Sequence, residues 1–265
     1  MAQRSYRLAV EELAYLLTLL GGAEAGGGFL AALFGDLSPD NLDGRLTSAG
    51  HSLFARGLLD YRESSDEVYV EPDVERLVGA MVRPDFLFRC SRAHDGEEVL
   101  LNAFVAGDII ASQQLVRKMA VQLESVTTSA DLVEHSREFF DLREVLIAGD
   151  SASCGTIPAE ALNLAKETSG TASLRETAAR LVAGGLDRAV ADDLATDLAQ
   201  PRYRGSILRV EQPNTAPTAD RGVLLLRGPR RCWLFPVVPA DPGQLRVFPG
   251  SLDRYSQLVT SLLGS

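Results

Sequence analysis

Asp73-Val-Glu-Arg-Leu-Val-Gly-Ala-Met-Val-Arg-Pro84 is the stretch on which the reading of this chain turns. Val74, Leu77, Val78 and Met81 recur at i, i+3, i+4 and i+7, the spacing of one helix face. Pro84 ends the helix, because the residue before a proline is pushed out of the α region. Ala189-Val-Ala-Asp-Asp-Leu-Ala-Thr-Asp-Leu-Ala-Gln-Pro201 has the same helix and the same stop, 117 positions later.

The segments beyond the two prolines also match. Phe86–Cys90 and Ser206–Val210 are short apolar runs, each succeeded by a polar break, Ala93-His-Asp-Gly96 in one case and Gln212-Pro-Asn-Thr-Ala-Pro217 in the other. Val99–Val105 and Gly222–Leu226 then lead into tight turns at Ala106-Gly-Asp108 and Gly228-Pro-Arg230. The chain returns as Ile109–Leu115 and Cys232–Val238, and Gly/Asp or Gly/Pro between two β-rich runs is hairpin chemistry. Met119–Val126 and Gln244–Phe248 supply a fourth strand. Ser129-Ala-Asp131 and Ser251-Leu-Asp253 then open a helix with side chains that accept its orphan N–H groups. Upstream, helices are expected at Glu11–Leu20 and Leu46–Leu59 in one half, and at Ala159–Thr168 and Leu174–Leu186 in the other.

The order helices, proline, four strands, helix therefore occurs twice. The expected fold is α+β and internally duplicated, with an antiparallel sheet of about four strands per repeat. Two half-exposed meanders bury their edges best by joining about a pseudo-twofold axis, with helices on one face and at the ends. Residues 1–265 then make a single duplicated domain, with repeat one at about 1–141, repeat two at about 156–265 and a small, polar connection at about 142–155.

Composition limits the function classes. Hydrophobic residues are 46% and charged residues 23% of the 265, the proportions of a globular chain. No apolar run reaches the ~18 residues of a membrane span, and the N-terminus lacks a signal-peptide pattern, so a cytoplasmic protein without membrane insertion is expected. Cys90, Cys154 and Cys232 form no C-x-x-C and suit a reducing compartment. Net charge is −10, distributed as −6 over 1–84, −6 over 85–150 and +2 over 151–265. That distribution argues against nucleic acid as partner, since phosphate binding needs clustered cations.

Little in the sequence asks for catalysis. His51, His94 and His135 have no second ligand at metal spacing, and no metal or cofactor is expected. Cys154, with His135 as a base, reads as an ordinary thiol. Gly26-Gly-Gly28 lacks the Lys-Ser/Thr of a phosphate loop and reads as a flexible break between two helices. Glu11-Glu12, Glu97-Glu98 and Asp192-Asp193 read as solvated faces. Leu46–Asp60 followed by Val68-Tyr-Val70 has the outline of a winged helix, which keeps a transcriptional regulator or a general interaction module as the alternative function. Only Arg56 and Arg62 are cationic there. Residues 201–250 hold eight arginines against three acids, Arg227, Arg230 and Arg231 among them, and form either a solvated strand face or a docking surface for an acidic protein. Trp233 is either core or a binding anchor.

The helix ending in Gln-Pro, the Arg221-Gly-Val-Leu-Leu-Leu hairpin, the Trp233-Leu-Phe-Pro strand and the terminal Ser251-Leu-Asp-Arg-Tyr helix resemble EspG proteins. So do Ala55-Arg-Gly-Leu-Leu-Asp60, Val70-Glu-Pro-Asp-Val74 and Arg83-Pro84. EspG proteins are chaperones associated with ESX, or type VII, secretion. The resemblance implies a duplicated α+β fold and a non-enzymatic, cytosolic chaperone that holds the helical tip of PPE proteins within PE–PPE pairs. It also implies that strand-joining loops and the last helix take part in binding. That adds Gly107–Lys118, Arg254 and Tyr255 to Arg227, Arg230, Arg231 and Trp233 as partner-binding candidates.

Overall fold

A computed structural model describes residues 4–62, 67–143, 152–168, 173–213, 217–237 and 243–264. Within the expected connection 142–155, residues 144–151 lie outside the described ones. The first half runs β1 (Ser5–Ala9), α1 (Val10–Gly21), α2 (Ala23–Phe34), α3 (Pro39–Ala55), β2 (Leu59–Arg62), β3 (Glu67–Val70) and α4 (Pro72–Val82). It continues through β4 (Phe86–His94), β5 (Glu97–Ala106), β6 (Ile109–Val116) and β7 (Ala120–Val126) to α5 (Ser129–Phe139). The second half runs β8 (Gly155–Pro158), α6 (Ala159–Thr168), α7 (Leu174–Ala183) and α8 (Arg188–Ala199). It continues through β9 (Tyr203–Glu211), β10 (Thr218–Arg227), β11 (Cys232–Val237) and β12 (Gln244–Pro249) to α9 (Leu252–Leu263). The expected α+β duplication is thus present in the order of elements, with α3 and the β2–β3 hairpin as an addition to the first half.

Two edge strands of the meanders were not expected from sequence. In each half the strand that opens the repeat pairs with the fourth strand of the meander. β1 runs antiparallel to β7 with Ser5 opposite Glu124, and β8 runs antiparallel to β12 with Gly155 opposite Val247.

The chain forms two compact units. The first runs to Leu87 and takes up Leu101–Thr128 and Gln212–Pro217; the second takes Phe88–Leu100, Ser129–Glu211 and Thr218–Ser265. Hydrogen-bonded neighbours follow the order β1-β7-β6-β5 in the first and β4-β9-β10-β11-β12-β8 in the second, with β5 beginning in the second unit and ending in the first.

In the first unit, α1 and α4 lay Leu13, Leu16, Leu77 and Val78 against Leu8, Val121 and Leu123 of the strands. Gly26-Gly-Gly28 is no break: it lies inside α2. The reason is proximity. A Cβ on Gly26 would stand 2.0 Å from Thr18 Oγ1 and 2.3 Å from the Ala14 carbonyl oxygen, so only glycine lets α2 lie this close to α1. Nor is Glu12 on a solvated face. It is 4% exposed and accepts hydrogen bonds from the Ala9 N–H (2.8 Å), Ser52 Oγ (2.7 Å) and Arg56 Nη1 (2.5 Å). Burial pushes its pKa up, but these donors outweigh burial and hold the carboxyl below its usual value.

In the second unit, α7 and α8 bury Leu181, Leu194 and Leu198 against Leu226, Trp233 and Phe235. Residues of the opposite parity face α9. Arg209, 8% exposed, donates from Nη1 to the Leu262 carbonyl (2.9 Å) and so sets a cation on the negative end of that helix.

Candidate protein-docking surface

The β10–β11 turn carries Arg230 and Arg231, with Arg227 and Trp233 on the strands at either side. Arg227 pairs with Cys232 across the ladder, leaving Gly228-Pro229-Arg230-Arg231 to turn the chain, closed by a bond from the Gly228 N–H to the Arg231 carbonyl (2.9 Å). The turn is latched to α8 by Asp197, which is fully buried. Its Oδ2 accepts from Trp233 Nε1 (2.8 Å) and its Oδ1 from the Arg230 N–H (3.2 Å). Gly228 is required here, since a Cβ would stand 2.1 Å from Asp197 Oδ1. One helical turn earlier, Asp193 pairs with Arg231 Nη2 (2.9 Å) and Arg230 Nη1 (3.7 Å). The Arg231 guanidinium also lies 5.4 Å from the centre of the Trp233 ring, a cation–π distance.

These contacts divide the candidates. Trp233 is fully buried, with its indole N–H committed to Asp197, and belongs to the core of the second unit. Arg227 is 7% exposed and donates to the Gly228 carbonyl. The side chains of Arg230 and Arg231 are 64% and 41% exposed, so they are the reachable part of the turn. On α9, Ser251 caps the helix by accepting from the Arg254 N–H (3.3 Å), and the Arg254 guanidinium lies 4.8 Å from the centre of the Phe248 ring. Tyr255 is buried. Ser136 Oγ gives its proton to the Val133 carbonyl (2.7 Å), so the Tyr255 hydroxyl donates to Ser136 Oγ (2.8 Å) and ties α9 to α5. Burial raises the pKa of Tyr255 well above that of a free phenol.

Burial governs the thiols. Burial raises the pKa of the Cys154 thiol, against partial compensation by Arg231, and it pushes Cys232 up to about 12. Among the described residues, no group of three or more His, Cys, Asp or Glu is placed to hold a metal ion. A cleft of about 370 Å³ in the first unit is lined by Arg4, Asp73, Arg76 and Asp108, and Asp73 takes ion pairs from both arginines. The winged-helix outline is present as α3 and β2–β3, but the half-exposed Arg56 is engaged by Glu12 and by the Arg7 carbonyl. No described helix is long and apolar enough to cross a membrane. Sequence reasoning passed over Asp197 and read Asp193 as solvated, because acids on an amphipathic helix look solvated until a turn from a distant strand reaches them. It also passed over Met119, 75% exposed in the turn between β6 and β7.

No protein-family model and no curated protein sequence matches the chain. A solved structure does. The Mycobacterium tuberculosis type VII secretion system chaperone EspG5, in complex with the PE25–PPE41 dimer, superposes with a TM-score of 0.69 at 14% sequence identity. The match covers 98% of this chain and 96% of that one, so the whole fold is shared.

Proposed function

We propose that this protein is a cytosolic, non-enzymatic chaperone or adaptor that binds helical, PE–PPE-like secretion substrates of a type VII system. The observation that carries the reading is the end-to-end likeness of fold to EspG5, which was solved with such a dimer bound. The chemistry is compatible: the thiols are held protonated, and the buried carboxylates Glu12 and Asp197 are occupied with structural donors. Of the six candidates, Arg230, Arg231 and Arg254 would meet a partner, while Arg227, Trp233 and Tyr255 would hold the turn and α9 in place.

Co-expression with the PE–PPE-type pairs of the source genome, followed by size exclusion with light scattering, tests this. Co-elution of the chain with an intact heterodimer is expected. Elution of the chain alone, with every pair tried, overturns the proposal.

A further inference from the structure

We propose that the turn between β6 and β7 is a docking knuckle, which seats Met119 in an apolar socket rimmed by carboxylates on a partner protein. The inference rests on the chaperone reading and deepens it by naming the chemistry the substrate must offer.

Met119 is 75% exposed, the most exposed large apolar side chain among the described residues. Its backbone is nonetheless held at both polar groups. The N–H donates to the Val116 carbonyl (3.1 Å), and the carbonyl accepts from the Val10 N–H at the head of α1 (3.2 Å). The thioether therefore projects from a fixed frame, which lowers the ordering cost of binding. Methionine also adapts to sockets of differing shape.

The two residues before it are held in the left-handed region, Arg117 at φ +51° and Lys118 at φ +56°. Such a pair favours Asn-Gly; long cationic side chains are a strained choice, and strain of this kind collects where function retains it. Both side chains are exposed, and among the described residues neither closes an ion pair. The tip is thus an apolar point beside two uncompensated cations.

The occupant follows from charge. A second copy docked tip to tip would bring like charges together. A second copy docked by its tip would meet clefts that set Arg4 and Arg76, or Arg45, among their acids, and those cations oppose Arg117 and Lys118. An anionic membrane would repel a chain of net charge −10, and two cations at a tip contribute little against that. A different protein, with acidic residues around an apolar depression, fits all three features.

The test titrates the full-length protein with a heterodimer recovered as above, using calorimetry. Met119→Ser and the charge reversal Arg117→Glu/Lys118→Glu should each raise Kd by about tenfold or more. Raising salt from about 50 to about 300 mM should weaken the wild type, and should matter much less for Arg117→Gln/Lys118→Gln. Arg117→Asn/Lys118→Gly relieves the turn, so it should melt a few degrees higher while binding more weakly. Wild-type binding with all these variants unchanged overturns the knuckle and leaves the chaperone reading standing. No wild-type binding to any heterodimer overturns both. Self-association lost in Met119→Ser, or uptake by phosphatidylserine vesicles, overturns the assigned occupant.

Discussion

Asp197 is the most informative single residue to change. Its carboxylate is buried and accepts two hydrogen bonds, from the Trp233 indole and the Arg230 amide. A hydrogen bond to a charged group contributes about 1.5–3 kcal/mol net, so losing two bounds the cost of Asp197→Ala at about 3–6 kcal/mol. Water entering beside the freed Arg230 amide re-satisfies part of what is lost, which places the expected loss at about 3–4 kcal/mol. At about 2.1 cal/mol/K per residue over 265 residues, that lowers Tm by about 6 °C. Trp233 is the only tryptophan, so its fluorescence during urea unfolding reports the second unit directly. The pairwise part is isolated by a double-mutant cycle with Trp233→Phe, followed by circular dichroism. In the wild-type background that substitution deprives a buried carboxylate of a donor; in Asp197→Ala it removes volume alone. The difference should be about 1.5–3 kcal/mol. A loss below about 0.5 kcal/mol for Asp197→Ala, or a coupling of that size, refutes the latch.

Four further outcomes are expected from the same geometry. Glu12, with its folded pKa depressed by Arg56, Ala9 and Ser52, contributes stability above the unfolded carboxylate value and loses it as pH falls through the folded one; Glu12→Gln should flatten the acid side of the stability–pH curve below about pH 4.5, and an unchanged curve rejects the assignment. Gly26→Ala should cost about 2–3 kcal/mol in urea unfolding despite alanine's better helix propensity, because its Cβ meets the Ala14 backbone; a stabilised variant would show that α1 and α2 are not in contact there. Tyr255→Phe should cost about 1 kcal/mol by the same method, since Ser136 keeps its bond to the Val133 carbonyl. With an aromatic disulfide reagent at pH 8, Cys154 should be modified well before Cys90 and Cys232, which should wait for unfolding; three thiols reacting together would contradict the burial pattern.

The meanders were readable because their signals are local. Asp95-Gly96 takes up positive φ at both residues, as its hairpin requires, and Pro84 and Pro201 each stand just past a helix end. The edge strands were not readable. Ser5–Ala9 and Gly155–Pro158 are strands because of partners far along the chain, and five or four residues alone carry too short a pattern. Pro158 in β8 even argues against a central strand, though not against an edge. The candidate docking surface divides in the same way. Arginine density around the β10–β11 turn is visible in sequence, but which arginines are reachable depends on Asp193 and Asp197, placed by a helix whose apolar period says nothing about the turn it will meet. For Trp233, composition left core and anchor open, and only the indole–carboxylate bond decides.

The pairing of each repeat's opening strand with its last strand also bears on when the protein can fold during synthesis. Ser5 waits for Glu124, 119 positions later, and Gly155 waits for Val247, 92 positions later. Until those residues have been made, α1 has no finished strand layer beneath Leu13 and Leu16, and contacts this distant in sequence form slowly. Each half is therefore exposed to misassociation for most of its own translation, and then closes in one late step. With one such closure in each half, the chain passes through that window twice before it is released.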